Sequence, residues 1–326
     1  MKSKILTALG NTDGYVSGQE LCKILNVSRT AVWKVINQLK EDGYEIESVP
    51  RRGYRILGRP DVVTADEIRS CMQTQWMGSE IHFFETIDST NNEARRLAEQ
   101  GAPHGTLLVA ENQESGKGRR GRSWVTPAGS AVAMSFVLRP QLPPPCASMV
   151  TLVMGLAVAK ACREYCKVDA KIKWPNDVVV DGRKICGILT EMSSEIDYIN
   201  YVVIGTGINT NIEQFPPELV QTAVSLHELM GRRPERAVLI AECMKYFEQY
   251  YELFERQQDL SLLKDEYNEL LAGRGGIVRV LEPGNEYSGI SEGINEQGEL
   301  LVRREDGTVE AVYAGEVSVR GVYGYV

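Results

Sequence analysis

Apolar and polar positions near the start of the chain repeat with a helical period and then with a strand period. Between residues 29 and 41 the apolar side chains recur every three or four positions, at Ala31, Val32, Val35, Ile36 and Leu39. Ser17 and Ser28 precede two helical segments, and serine is a preferred helix N-cap. Residues 44–57 alternate like a hairpin with Pro-Arg-Arg-Gly at its tip. This order predicts a winged helix-turn-helix domain over residues 1–60.

The other face of the third predicted helix is polar and basic, and such side chains reach phosphates and base edges. An arginine-bearing wing would contact backbone phosphate or the minor groove. We therefore predict DNA binding by Ser28, Arg29, Thr30, Lys34, Asn37, Arg51 and Arg52. A small helical domain that binds protein, or nothing, is the alternative.

Further along, helical and strand patterns are mixed. Helices are predicted at residues 64–72, 148–166, 219–229 and 235–271, and strands at 81–85, 106–110, 130–138, 171–173, 178–180, 184–191 and 201–204. From residue 275 short strands alternate with turns at 283–285, 296–298 and 305–307. The pattern predicts a multidomain α+β protein with a mixed-sheet α+β domain at 61–272 and a small antiparallel β-barrel at 273–326.

Charge is unevenly distributed along the chain. Residues 1–60 hold ten Lys/Arg and six Asp/Glu, a net charge of +4, whereas the whole chain carries −8. A basic head on an acidic body indicates a separate anionic partner for the head.

Composition narrows the function classes. The hydrophobic content of 43% and the charged content of 25% are typical of a soluble protein. The longest apolar run, residues 149–159, is too short to span a bilayer. Seven cysteines without a close CxxC pair predict reduced thiols in the cytoplasm. Three histidines without ligand-like spacing predict no metal site in the protein itself.

Residues 114–124 read ESGKGRRGRSW, with glycines alternating with basic residues. Glycine lets backbone N–H groups approach a ligand, and guanidiniums bind phosphate or carboxylate. The segment formally matches GxGxxG but lacks the adjoining strand and helix of a dinucleotide fingerprint, and no Walker A motif is present. An anion-binding loop is predicted, and a solvated basic loop is the alternative.

Two further clusters are candidates for chemistry. In residues 88–93, Thr90 and Glu93 fit a capping box, which would be purely architectural, although a helix N-terminus with two hydroxyls also suits a small polar ligand. Residues 171–191 read KIKWPNDVVVDGRKICGILTE. There the alternatives are an exposed hairpin residue for Lys184 and an Asx-turn residue for Asp177. A further turn that allows close approach is predicted at residues 205–209.

Three of these motifs together give the chain a resemblance to the bifunctional biotin–protein ligases and biotin-operon repressors. The motifs are DSTN at 88–91, GKGRRGRSW at 116–124, and KWPND at 173–177 followed by KICGIL at 184–189. The resemblance covers nearly the whole length and implies an SH3-like third domain. It also implies activation of biotin with MgATP to biotinyl-5′-AMP, then transfer to a lysine of the biotin carboxyl-carrier domain of acetyl-CoA carboxylase. In repressor members the adenylate-loaded homodimer binds operator DNA.

The resemblance also implies roles for individual residues. Biotin would contact Ser89, Thr90, Gln113, Gly116, Lys117, Arg119, Lys184 and Gly187. The nucleotide would contact Arg119, Arg122, Trp124, Asn176, Lys184 and Asn209. Lys184, Arg119 and Asp177 are the expected catalytic residues, with Mg²⁺ arriving on ATP. Lys117 stands where the family has arginine and loses bidentate geometry.

Three other functions stay open from the sequence. One is a sensor-repressor whose central domain only binds its ligand, and another is a lipoate-type acyl ligase. The third is an adenylating enzyme with a vestigial DNA-binding head.

Overall fold

The N-terminal part of the chain is a three-helix unit with a β-hairpin. A computed structural model describes residues 1–124, 127–281, 286–313 and 318–321. The first elements are α1 (Lys2–Gly10), α2 (Gly18–Leu25), α3 (Arg29–Glu41), β1 (Glu45–Val49) and β2 (Gly53–Gly58). Ser17 and Ser28 accept hydrogen bonds from the backbone N–H groups of Glu20 and Ala31, as the predicted caps require. These elements enclose their own apolar core. The predicted winged helix-turn-helix is confirmed.

A seven-stranded mixed sheet forms the centre of the molecule. Its strands are β3 (Ile81–Ile87), β4 (Thr106–Gln113), β5 (Ala131–Leu138), β6 (Lys171–Lys173), β7 (Asp177–Val180), β8 (Arg183–Ser194) and β9 (Ile199–Asn209). The strand order is β3-β4-β5-β9-β8-β7-β6, with β3 and β4 parallel and the other pairs antiparallel. Because β9 lies between β5 and β8, residues of β5 lie close to residues of β8 and β9 that are far away in sequence.

Helices cover both faces of this sheet. They are α4 (Ala65–Cys71), α5 (Thr90–Glu99), α6 (Met149–Ala161), α7 (Leu226–Met230), α8 (Arg236–Gln257) and α9 (Lys264–Leu270). The apolar side chains of α6 and α8 belong to the large central core, and those of α5 belong to a smaller cluster with β4, β5 and β9. By length and composition the segment Pro144–Cys166 could cross a membrane, but 72% of its most apolar window is buried inside the protein. It packs here as a core helix.

The C-terminal strands form a five-stranded antiparallel sheet. They are β10 (Ile277–Leu281), β11 (Tyr287–Ile294), β12 (Leu300–Arg303), β13 (Val309–Val312) and β14 (Ser318–Gly321), in the order β13-β12-β11-β10-β14. Val280, Ile294 and Val302 belong to the same core as the central helices. The predicted α+β fold class with a C-terminal antiparallel domain is confirmed. The turn predicted at 283–285 lies outside the described residues.

Several element predictions need correction. The predicted helix at 219–229 is helical only in α7, and residues 222–224 instead run alongside the start of β8, where the Lys184 N–H donates to the Thr222 carbonyl at 2.8 Å. Gly205 and Gly207 lie within β9 rather than in a turn. The predicted helix at 235–271 is two helices, α8 and α9.

A buried polar network joins the winged helix to the central domain. Glu67 on α4 is 2% exposed, and its carboxylate accepts hydrogen bonds from Tyr44 (2.6 Å) and Arg59 (2.6 Å). Arg59 also donates to the Leu6 carbonyl of α1 at 3.2 Å. Burial and the Glu67 hydrogen bond raise the pKa of Tyr44, so its phenol stays protonated. The buried ion pair between Arg59 and Glu67 therefore holds the two domains together.

Candidate functional site

A cavity of about 50 Å³ lies where the N-terminus of α5 meets the ends of β4, β8 and β9 and the basic loop after β4. Residues from all three sequence clusters and from strands β4, β5 and β9 line it. They are Ser89, Thr90, Asn91, Gln113, Lys117, Arg119, Trp124, Met134, Asn176, Lys184, Ile188, Leu189 and Thr206, with Gly118, Gly187, Gly205 and Gly207. The fold thus assembles the three clusters into one pocket.

The polar end of the pocket is formed by the N-terminus of α5. Ser89 occupies the N-cap position without a side-chain cap hydrogen bond, so α5 begins one residue earlier than the capping-box alternative for Thr90 and Glu93 requires. Thr90 instead donates from its backbone N–H (2.9 Å) and from Oγ1 (3.1 Å) to the side-chain oxygen of Gln113. Ser135 Oγ donates to Thr90 Oγ1 at 2.7 Å. The Thr90 hydroxyl is therefore held by Gln113 and Ser135 and does not cap the helix.

The basic loop lies over the pocket and is tied to two neighbouring elements. Lys117 Nζ donates to Asn92 Oδ1 on α5 at 2.6 Å, and Arg119 Nη1 donates to Asn176 Oδ1 at 2.9 Å. Burial lowers the pKa of the Arg119 guanidinium, and the Asp177 carboxylate acts in the opposite direction. A cation partly removed from water interacts strongly with an anionic ligand.

Lys184, which lines the pocket, forms an ion pair with Asp177, which does not line it. Lys184 Nζ lies 2.6 Å from Asp177 Oδ1, and Asn176 Nδ2 donates to the same carboxylate oxygen at 3.2 Å. Asp177 is 7% exposed. Because Asn176 also binds Arg119, one connected network holds both cations at the mouth of the pocket.

Trp124 fills the floor of the pocket. Gly187 and Gly207 are directly paired across β8 and β9, and the indole packs over both. A Cβ at Gly207 would clash with the indole, and one at Gly187 would lie 2.8 Å from Lys184 Nζ. The Trp124 indole N–H and the Thr206 hydroxyl are buried without a hydrogen-bond partner among the described residues. Buried polar groups are normally hydrogen-bonded, so these two groups are available to a polar ligand.

Three of the expected ligand residues do not line the pocket. Arg122 is exposed. Gly116 supports the loop through its carbonyl, which accepts a hydrogen bond from the backbone N–H of Trp124 at 2.8 Å. Asn209 is buried, and its side chain donates to the Lys184 carbonyl at 3.2 Å. Their expected contacts with biotin or nucleotide stay predictions.

Other pocket residues were not found by sequence reasoning. Asn91 is 4% exposed, accepts a hydrogen bond from Ser135 and donates to Glu191 of β8 at 2.8 Å. Thr206 lies between the two glycines of β9. The glycines at 205 and 207 were a signal of close approach, but nothing local to Thr206 or Ser135 indicated a pocket.

A larger groove adjoins the pocket on the side of the C-terminal sheet. It has a volume of about 880 Å³, and Arg119, Asn176 and Ile188 line both spaces. Among the described residues no group of three or more His, Cys, Asp or Glu is placed to hold a metal ion.

The winged helix presents a second candidate surface. Arg29, Thr30 and Lys34 are exposed on α3, and Arg51 and Arg52 are exposed at the tip of the β1–β2 hairpin. The Arg52 guanidinium lies 4.5 Å from the centre of the Tyr15 ring, and this cation–π contact holds the wing against the segment before α2. Asn37 is half-buried, and Ser28 caps α3.

Comparisons with known proteins agree with this architecture. Family profiles match at residues 2–55 (HTH domain), 83–209 (biotin/lipoate A/B protein ligase family) and 275–320 (biotin protein ligase C-terminal domain). The chain is 36% identical over 307 residues to the bifunctional ligase/repressor BirA of Bacillus subtilis, covering 94% of each chain. It is 31% identical to BirA of Escherichia coli, covering 97% of this chain and 96% of that one.

Among solved structures, the chain resembles a biotin protein ligase from Aquifex aeolicus in complex with biotin and ATP. The TM-score is 0.66 at 28% identity, over 74% of this chain and 99% of that one.

Proposed function

Because the chain belongs to the BirA family of bifunctional ligase/repressors, we propose that it joins biotin to a carrier protein and represses transcription in response to biotin. The ligase uses MgATP to convert biotin into biotinyl-5′-AMP. It then transfers the biotinyl group to one lysine of a biotin carboxyl-carrier domain of acetyl-CoA carboxylase. One observation carries this proposal: the cations Lys184 and Arg119 line the same pocket as the hydroxyl-bearing N-terminus of α5, next to the paired glycines 187 and 207.

In the first step a carboxylate oxygen of biotin bonds to the α-phosphorus of ATP, and pyrophosphate leaves. Carboxylate and triphosphate repel each other, so the site must supply positive charge. Lys184 is placed between the two reacting groups, and Arg119 and Lys117 hold the phosphate, while Mg²⁺ neutralises the polyphosphate. Polar contacts from Ser89, Thr90 and Gln113 suit the ureido ring.

In the second step the carrier lysine attacks the acyl carbon and AMP leaves. Asp177 orients the incoming amine or accepts its proton, and its ion pair with Lys184 (2.6 Å) keeps its carboxylate next to the pocket. Gly187 permits close approach of the ligand, and Trp124 packs near the adenine. Arg122, Asn176 and Asn209 are the remaining proposed nucleotide contacts, and Gly116 shapes the loop.

The repressor function uses the winged helix. We propose that the adenylate-loaded protein forms a homodimer in the cytoplasm and binds operator DNA through α3 and the wing. Exposed basic groups on both elements support this assignment. Log K for duplex binding is expected to fall by about 0.9 per unit of log salt for each phosphate neutralised. An affinity that ignored salt would contradict a contact through Arg29, Lys34 and the wing arginines.

The ligase is tested by incubating the protein with MgATP, labelled biotin and a carrier domain. Mass spectrometry should detect one biotinylated lysine and release of pyrophosphate. Binding without pyrophosphate release would instead support a sensor-repressor. Transfer of lipoate but not biotin would support the lipoate-type alternative.

A further inference from the structure

Helix α3 carries an exposed indole that has no role in the proposed function so far. Trp33 is 56% exposed, whereas Trp174 is 4% exposed and Trp76 and Trp124 are partly buried. Single exposed apolar residues are common on protein surfaces, so exposure alone indicates nothing. The position of Trp33 on α3 decides its interpretation.

Trp33 lies one turn after Arg29 and one turn before Asn37, because residues four apart neighbour each other on a helix. It is outside the buried stripe formed by Val32, Ile36 and Leu39. It is also the fifth residue of α3, in the half of a recognition helix that reaches base edges. Trp33 therefore belongs to the surface that would face a duplex.

The wing lies on the same side of α3 as Trp33. Lys40 follows Trp33 by seven residues, almost two full helical turns, so both residues lie on one stripe. Lys40 Nζ donates to Ser48 of β1 at 3.2 Å. The exposed face of α3 that carries Trp33 is therefore continuous with a wing whose tip carries Arg51 and Arg52, and the positive charge of both elements complements a phosphate backbone.

We propose that Trp33 contacts the C5-methyl group of a thymine in the major groove and so determines part of the sequence specificity. The base edges in that groove present hydrogen-bonding groups and one apolar group, the thymine methyl. An indole gains by covering a methyl group and cannot reproduce the bidentate contacts of arginine or asparagine. The proposal rests on DNA binding as part of the proposed function.

The test uses the full chain with biotin and MgATP. Duplexes are first selected from a random-sequence library at fixed salt concentration. Each thymine of the selected duplex is then replaced by uracil, which removes only the methyl group. At one thymine per half-site, uracil should weaken binding by the wild-type protein about fourfold, the effect of exposing one methyl group. The same replacement should leave the affinity of Trp33→Ala unchanged.

Tyr198→Ala removes another exposed aromatic ring, in the central domain, and should keep the wild-type response to uracil. Trp33→Leu keeps an apolar side chain and should retain part of the uracil effect. It serves as a second test variant if Trp33→Ala binds too weakly to measure. If uracil weakens wild type and Trp33→Ala equally at every position, the proposal is wrong although DNA binding stands. If the wild-type protein enriches no sequence, the DNA-binding function itself fails, and the proposal with it.

Discussion

The backbone and the side chain of Lys184 are held in place by different partners. Its N–H donates to the Thr222 carbonyl at 2.8 Å, and its carbonyl accepts from the Val224 N–H at 3.0 Å. Its ammonium lies 2.6 Å from Asp177. A cation fixed in this way needs little reorganisation when negative charge develops nearby, which is the condition for strong electrostatic catalysis.

Lys184→Ala should therefore slow formation of biotinyl-AMP by roughly 10²–10³-fold, the range for a preorganised electrostatic donor. Single-turnover release of pyrophosphate measures the rate. Arg183→Ala is the matched control, since Arg183 precedes Lys184 and pairs with Glu228 at 2.9 Å outside the pocket. A near-wild-type rate in Lys184→Ala would show that this lysine does not contribute to catalysis.

Arg119→Gly should release the adenylate early, because the bond from Arg119 to Asn176 (2.9 Å) holds the loop over the pocket. Free adenylate would label lysines on unrelated proteins, which mass spectrometry can detect after adding an inert protein such as albumin. Arg120→Gly removes the same charge from the exposed neighbouring position and should keep labelling confined to the carrier domain. Confined labelling in both variants would refute retention by Arg119.

Sequence reasoning located the residues that carry unusual local signals. The glycine-rich basic run and the Trp-Pro-Asn-Asp turn each allowed an alternative without a ligand. Roles for Arg119, Asn176 and Asp177 followed only from the resemblance to the biotin–protein ligases, which rests on three motifs together. Thr206 has no such signal, and it reaches the pocket only through the pairing of β9 with β5 and β8. Ser135 has none either, and it supports the lining residues Thr90 and Asn91 from β5. Thr90 was ambiguous, since a cap and a ligand site use the same residue types at a helix N-terminus.

At the scale of elements, the turn between β6 and β7 is supported from the C-terminal sheet. Trp174 is 4% exposed, and its indole N–H donates to the Gly298 carbonyl at 3.0 Å. Gly298 lies in the turn between β11 and β12, which packs on Met149 and Leu152 around α6. The segment that carries Asn176 and Asp177 is thus positioned by a contact 124 residues away in sequence.

Trp174→Phe should lower the free energy of unfolding by about 1–3 kcal/mol, because the buried Gly298 carbonyl loses its donor. It should also lower kcat for biotin transfer to the carrier domain more than it raises KM for biotin, because the displaced segment carries Asp177, which acts in the transfer step, rather than the pocket floor. Denaturant unfolding and steady-state kinetics measure the two effects. Trp76→Phe, which loses a bond to Glu252 (3.2 Å) away from the pocket, should leave kcat unchanged. Equal kinetics in both variants would contradict this positioning.

The element boundaries that the sequence missed were set by contacts with residues distant in sequence. The helical period of residues 219–225 is overridden by backbone hydrogen bonds to the edge of β8, which no local pattern announces. Gly205 and Gly207 were interpreted as turn residues because glycine is rare within strands, yet here they clear space for Asn91 and Trp124.

At the scale of the whole molecule, Glu67 links the DNA-binding head to the catalytic body. It accepts from Tyr44 and Arg59 on the head side, and its helix α4 packs against α8. Removing one member of a buried ion pair leaves the other charge uncompensated, at a cost of about 3–5 kcal/mol. The orientation of the head therefore depends on a few buried polar atoms.

Glu67→Gln should loosen the head, because Arg59 then lacks its counter-charge. Limited proteolysis should cut between residues 57 and 62 sooner than in the wild-type protein, and duplex affinity should fall. Biotin transfer should stay within about twofold, a change of only about 0.4 kcal/mol in the barrier, since the pocket is built from other elements. Glu45→Gln alters an exposed carboxylate on β1 and serves as the control. Unchanged cleavage in Glu67→Gln would mean that apolar contacts alone hold the head.

The head and the C-terminal sheet differ in how they meet the catalytic body. The head encloses a core of its own, whereas Val280, Ile294 and Val302 complete the core of the central helices. Deleting the head would uncover a small polar patch around Glu67, but deleting the C-terminal sheet would open the main core to water. In evolutionary terms the head is a module that a lineage can gain or discard, whereas the C-terminal sheet must be inherited together with the ligase.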